Sequence, residues 1–203
     1  MALLTSTEAK AIKPDLSGTA QDTLIDTLIG RADEVLATWC GYPVYDSSTI
    51  PSLTQQTYTQ YLDGPTWEDS KVLAVPVFPL GSITSIHDDP TGRTYDTATL
   101  VDSGDYDLDS YRGLVILTQS STQGFWSQGF RAQKIITQAG WATVPEALKH
   151  AGAELVWHWY RLMRERGKQS VSVGGGSTGL RNESIPDHVW AMVSAYRLPG
   201  SLL

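Results

Sequence analysis

The sequence predicts an α+β protein: a small helical bundle around one long helix, with an antiparallel β insertion and a flexible C-terminal arm ending in a short helix. Three observations carry the prediction. The first is an uninterrupted helical pattern between Trp141 and Gly167, the longest in the chain. The second is a change of period between Tyr42 and Gly140, where short β-branched runs alternate with turn signals. The third is a Gly/Ser-rich stretch after Gly167 that leads to one more amphipathic segment. Residues 1–167 are therefore expected to form the core, with helices at 5–13, 22–40 and 145–166 and the β insertion at 42–140. Residues 168–203 are expected to form a tether and a docking helix.

Each element has its own physical signal. Thr5 and Glu8 fit a capping box ahead of a short helix that Pro14 stops, because the two side chains can satisfy each other's free backbone N–H groups. Asp15 to Gly18 reads as a turn. In the second helix Leu24, Ile25, Leu28, Ile29, Ala32, Val35, Leu36 and Trp39 keep helical spacing, and Gly41 ends it. Within the insertion, Thr57–Leu62, Ile83–Ile86 and Lys134–Thr137 read as strands, with Asp63-Gly64 and Asp89-Pro90-Thr91-Gly92 as turns. Val72–Val77 carries Pro76 and so belongs at a sheet edge or ends early. Tyr106–Leu108 and Leu114–Leu117 pair as a hairpin across Ser110–Gly113. Runs of strands set between helices give the α+β class.

The long helix opens on Pro145 and Glu146, a proline suited to the first turn and an acid that meets the positive end of the helix dipole. Leu148, Ala151, Gly152, Leu155, Trp159, Leu162 and Met163 form its apolar stripe, and Arg161, Arg164 and Arg166 favour its carboxyl end. About twenty residues at ~1.5 Å each make a rod of roughly 30 Å. After the tether, Ile185-Pro186 precedes a helix carrying Val189, Trp190, Val193 and Tyr196. Its apolar side needs a cover, which is either the chain itself or another molecule.

Totals limit the function. Of 203 residues, 41% are hydrophobic and 18% charged, the composition of a globular domain rather than a disordered one. No apolar run approaches the roughly 20 residues of a membrane span, and MALLTSTEAK lacks the features of a signal peptide, so cytosolic synthesis is expected. Cys40 stands alone and is expected to pack rather than react. The net charge is −7, with only 15 Lys and Arg scattered along the chain except between Arg161 and Lys168. Tight DNA binding needs clustered cations, so it is not expected, whereas letting DNA slide past is compatible with this balance.

No set of residues assembles into a catalytic centre. Glu146, His150, Glu154 and His158 recur at four-residue steps and share one helical face. Such a row can ligate zinc, and a metal-dependent hydrolase using His150, Glu154 and His158 is the enzymatic alternative. The H-E-x-x-H pattern is absent, however, and alternating charge is ordinary helix support, so a solvated or subunit-contacting face is the expectation. Asp105, Asp107 and Asp109 lack the Gly and the Glu of a calcium loop and read as an edge that resists sheet-to-sheet pairing. Gly174, Gly176 and Gly179 have the dinucleotide spacing without its structural context. His87, Asp88 and Asp89 lie at a turn without partner motifs. Trp67 and Trp126, in loops, leave room for a carbohydrate- or peptide-binding β module. No catalytic residue, metal or cofactor is expected.

The order of the pieces resembles the head–tail connector (adaptor) family of tailed double-stranded-DNA bacteriophages and gene transfer agents. The matching stretches are the capped helix Thr5–Lys13 and Asp22–Gly41, with its D-x-L-I-x-x-L-I-x-x-A pattern and closing Trp39-Cys40-Gly41. They continue through the Asp63-Gly64 turn, Val72–Pro79, Ile83-Thr84-Ser85-Ile86 and the Asp105-Tyr106 to Leu117 hairpin. Ala139-Gly140-Trp141 with Val144-Pro145 and the closing Ile185-Pro186 to Arg197 complete the match. Thr137 stands where the family often has an aromatic residue, and Val193 where leucine is common. The resemblance implies a homo-oligomeric ring, typically dodecameric, docked under the portal protein, extending the DNA channel and offering a platform to the stopper or tail-completion protein. It implies location in the virion neck, after host cytoplasm during assembly, with no membrane step. A stopper or tail terminator is the neighbouring alternative. The portal- or neighbour-docking arm it implies comprises Leu180, Arg181, Ile185, Pro186, Val189, Trp190, Val193, Tyr196 and Arg197.

Overall fold

A computed structural model describes residues 2–16, 18, 21–42, 50–164, 170–173, 176–179 and 185–198. In chain order its elements are α1 (Ser6–Ile12), α2 (Asp22–Cys40), β1 (Gln56–Leu62), β2 (Val72–Ala74), β3 (Leu80–Asp88), β4 (Tyr106–Asp109), β5 (Leu114–Leu117), β6 (Gln133–Ala139), α3 (Glu146–Arg164), β7 (Ser170–Val173), β8 (Gly176–Gly179) and α4 (Asp187–Ser194). The class is mixed α+β. The chain divides into two compact units, one of Met1–Cys40 with Val144–Arg197 and one of Gly41–Thr143 with Leu198–Leu203.

In the helical unit α3 touches α1, α2 and α4. The capping box forms as its residue types require: Glu8 N donates to Thr5 Oγ1 (3.2 Å) and Thr5 N donates to Glu8 Oε2 (2.7 Å). Just before it, Leu3 and Leu4 are buried, and a Cβ at Gly152 would lie 2.6 Å from Leu3 Cδ2. A glycine on α3 therefore lets the amino-terminal segment lie close against the helix. In α2, Ile25, Leu28, Ile29, Ala32 and Leu36 are buried as their spacing predicts, and the helix stops at Gly41, whose φ of +89° favours glycine.

The α3 stripe differs from the expected one. Trp159 and Leu162 are only half-buried and Met163 is exposed, while Val156 and Tyr160 are buried. The physical reason is that every residue from 151 to 156 is buried. With α1, α2 and α4 all packed on it, the first half of α3 is covered on more than one side, which a single-stripe pattern cannot foresee. Beyond α3, β7 and β8 pair antiparallel, so a hairpin lies within the stretch read as a tether.

The β unit holds two three-stranded antiparallel sheets, ordered β1-β6-β3 and β2-β5-β4. Tyr58, Gln60 and Leu62 alternate inward on β1, opposite Thr137, Ile135 and Gln133 of β6. β2 ends at Ala74, two residues before Pro76, because proline cannot donate to the ladder. The β4–β5 hairpin turns where the sequence places it. β3 runs longer than the Ile83–Ile86 core of its pattern and carries register irregularities between Leu80 and Ser85. Thr137, buried in the central strand, satisfies its hydroxyl by donating to Ser82 O at 3.0 Å, which is how a polar residue occupies that inward position.

Candidate functional site

Without a catalytic centre expected, the candidate site is the arm and the helix it meets. The arm's Leu180 and Arg181 lie outside the described residues. Ile185 and Pro186 lead into α4, where Val189 and Val193 are fully buried. Trp190 meets Trp39 of α2 edge-on, ring centroids 5.0 Å apart, and the Arg197 guanidinium stands 5.3 Å from the Trp190 ring. The apolar side of α4 is thus covered by α2 and α3 of its own unit. Asp187, His188, Ala191 and Ser194 face outward. An eight-residue helix is too short to persist alone in water, so these contacts are what keep it helical.

The row on α3 splits in two. Glu146 is 84% exposed and pairs with Lys149 (3.1 Å), which also reaches Glu8 of α1 (3.0 Å). The backbone N–H of Thr5 and the Lys149 ammonium together hold the Glu8 carboxyl below the usual range. Glu154 instead turns inward, its side chain only 11% exposed. Its Oε1 lies 2.6 Å from Lys13 Nζ and 3.5 Å from His150 Nε2, while Oε2 lies 3.6 Å from His188 Nε2 on α4. One carboxylate therefore gathers three elements, and Lys13 also stands over the Trp157 ring at 5.0 Å. His158 is half-buried one turn further on. Among the described residues no group of three or more His, Cys, Asp or Glu could hold a metal ion.

The remaining candidates resolve into structure. Asp89 is buried and accepts from Gly92 N (2.7 Å), Thr94 N (2.9 Å) and Tyr95 N (3.3 Å). Burial pushes its carboxyl up, but the backbone N–H groups of Thr94, Gly92, Tyr95 and Arg93 outweigh this and hold it at about 2. Asp88 accepts from Ser127 N and Gln133 Nε2; both acids are loop fasteners. Asp105 accepts from Thr122 and Asp109 from Arg112 N. Trp126 is buried, its Nε1 donating to Lys71 O at 3.0 Å, whereas Trp67 is 81% exposed. A binding module centred on both tryptophans therefore loses one of them to the core. Burial pushes the Cys40 thiol up to about 12, against a smaller opposing pull from Arg197, so it packs and does not react.

One cluster was invisible in the sequence. Arg131 lies over the Tyr61 ring (4.2 Å), Arg93 over Phe130 (5.7 Å) and Lys134 over Tyr95 (5.6 Å), and the Tyr61 and Tyr95 rings are 5.5 Å apart. These residues come from three separate segments, so only the fold collects cations that look scattered along the chain.

Within the helical unit, the short helix α4 is held by aromatic contacts and by the pair between His188 and Glu154. The head completion protein family model matches residues 2–198, and the chain belongs to that family. Its role is that of a head–tail adaptor. In fold, the chain is similar to a chain from the virion of a native gene transfer agent particle, with TM-score 0.55, 14% identity, and coverage of 97% of this chain and 92% of that one. It is likewise similar to a chain from the neck of a native gene transfer agent particle computed with C12 symmetry, with TM-score 0.56, 14% identity, and coverage of 98% and 92%. No curated protein matches the sequence.

Proposed function

We propose that this head completion protein works in the virion neck as a homo-oligomeric ring, dodecameric in the particle, beneath the portal protein. There it extends the DNA channel and presents a platform to the stopper or tail-completion protein. The observation that carries the reading is family membership over residues 2–198, joined to fold likeness along nearly the whole chain to a protein from a neck with twelvefold symmetry. A closed ring needs two different faces per subunit. A body of net charge −7 repels phosphate and lets DNA slide.

Within this reading, residues 1–167 are the ring-forming core and 168–203 the arm that meets the portal or a neighbour. Because Val189 and Val193 face α2 and α3 in the single chain, the arm docks in one of two ways. Either its outward side, Asp187, His188, Ala191 and Ser194, makes the contact, or α4 leaves its seat and presents its apolar side elsewhere. A tether gives such a helix a high effective concentration at a nearby partner. The exposed Glu146 and His150 of the α3 row, with the half-buried His158, are candidates for the subunit-contact face.

The test is to remove everything after Gly174 and offer the shortened chain to portal-bearing particles. The expected result is a protein that keeps its α1–α3 and β-unit folding but no longer joins the particles. Normal joining would remove the arm from the mechanism.

A further inference from the structure

A cleft of about 990 Å³ is lined by residues of β1 and of the segment that ends β2, among them Thr59, Tyr61, Val75 and Phe78, together with Arg112 and Arg131. Both strands are the outer members of their sheets. Three features mark this cleft as a binding surface. First, β1 is seven residues long with no charge and no proline, and open edges of that kind are templates for a further strand. Of the other edges in these two sheets, β3 is broken by register irregularities and β2 by Pro76, while Asp107 and Asp109 bar β4 from a like-charged edge but not from a cationic one. Second, cations gather here: Arg112 and Arg131 line the cleft, and Arg93 and Lys134 line an adjoining hollow that shares Tyr61, Phe130 and Arg131 with it. Arg93, Arg131 and Lys134 lie over aromatic rings and have no carboxylate partner among the described residues. Arg112 is 78% exposed with only a 3.8 Å contact to Asp109. The Asp63 carboxylate, beside them, is occupied by Arg131 N at 2.8 Å. Third, Arg93, Tyr95 and Arg131 have φ near +50°, three of the four described non-glycine residues in that region. Such strain costs on the order of 1–3 kcal/mol each and is retained where a site must be held in shape.

We propose that this cleft receives an extended acidic segment of a second copy of the chain, pairing along β1, and that the segment is the outer edge of β4 with Asp102 and Asp107. Charge selects the occupant. In a chain of net charge −7, these two aspartates are exposed, Asp102 ahead of β4 and Asp107 within it; Asp102 accepts from Gly104 N at 2.8 Å, while Asp105 and Asp109 are less exposed and accept from Thr122 and Arg112 N. A contact of β1 on one copy with β4 on the next is head-to-tail, the type a ring requires, and backbone pairing would supply affinity while charge sets register. Duplex DNA is the less suited ligand, since four cations fall short of the many phosphate contacts that tight binding needs. The inference rests on the ring reading for the identity of the partner.

The test reverses charge on each side in the full-length chain: Arg93→Glu with Arg131→Glu, and separately Asp102→Lys with Asp107→Lys. Self-association, followed by sedimentation and by ring formation on portal-bearing particles, is expected to fall at least about tenfold for each pair, because like charges meet. All four changes in one chain restore it. Lys134→Glu, at an ordinary strand position, repeats the loss without touching a strained backbone. Reversals that associate like the wild type overturn the proposal and leave the ring standing. A wild-type chain that forms no oligomer, free or on particles, removes the ring and this contact together. Loss of duplex-DNA retention with self-association intact makes the cleft a nucleic-acid site and overturns the proposal.

Discussion

Replacing both Val189 and Val193 by alanine isolates what holds α4. Both side chains are fully buried between α4 and the helices it packs on. Each substitution removes two carbons, about 1.6 kcal/mol at ~0.8 kcal/mol per buried methylene. Incomplete collapse of the cavity raises that to roughly 2 kcal/mol. Together the two changes withdraw about 4 kcal/mol from an element of eight residues. The population with α4 open should then rise on the order of a thousandfold. Hydrogen exchange of the α4 amides reads this directly. The expected result is loss of protection confined to α4, with α1, α2 and α3 still protected. Unchanged protection would mean that the valines are not the clasp. Collapse of protection through the whole helical unit would mean that α4 is an integral part of the bundle and not a separable arm.

Other consequences follow from the buried charges. Glu154→Gln keeps the shape of the hub but strips Lys13 of its partner at 2.6 Å; the expected loss is about 2 kcal/mol, or roughly 5 °C in melting temperature. Lys13→Met in the same chain should recover part of it, since the two changes act on one interaction. Asp89 makes the β unit acid-sensitive. Its folded value of about 2 lies below the ordinary carboxylate value near 3.9, so its contribution is complete above about pH 4 and is lost as pH falls through 2. Thermal melts across that range should steepen this way for the wild type and flatten for Asp89→Asn. Glu8, also held low, adds in the same direction.

Much of the fold was legible because its signals are local. The Thr5–Glu8 capping box, the α2 spacing with its Gly41 stop, and the hairpin from Tyr106 to Leu117 are each written in a few adjacent residues. What was not legible depends on which element meets which. The inward turn of Glu154 is set by Lys13 and His188, one from before and one from after the β insertion. The burial of Val156 in place of Met163 is set by helices packing on several sides of α3. Leu3 and Leu4 could have been anticipated, since apolar residues just before a capping box commonly pack on the helix that follows. The Arg93, Arg131 and Lys134 cluster could not, because its members share no spacing in the chain.

The adaptor role is tested by imaging DNA-filled particles assembled with and without this chain. With it, the neck should show a closed ring of this protein beneath the portal, and tails should be joined. Without it, heads should be filled but tailless until the purified protein is added back. Tailed, functional particles formed in its absence, or a neck whose ring density belongs wholly to other proteins, would contradict the reading.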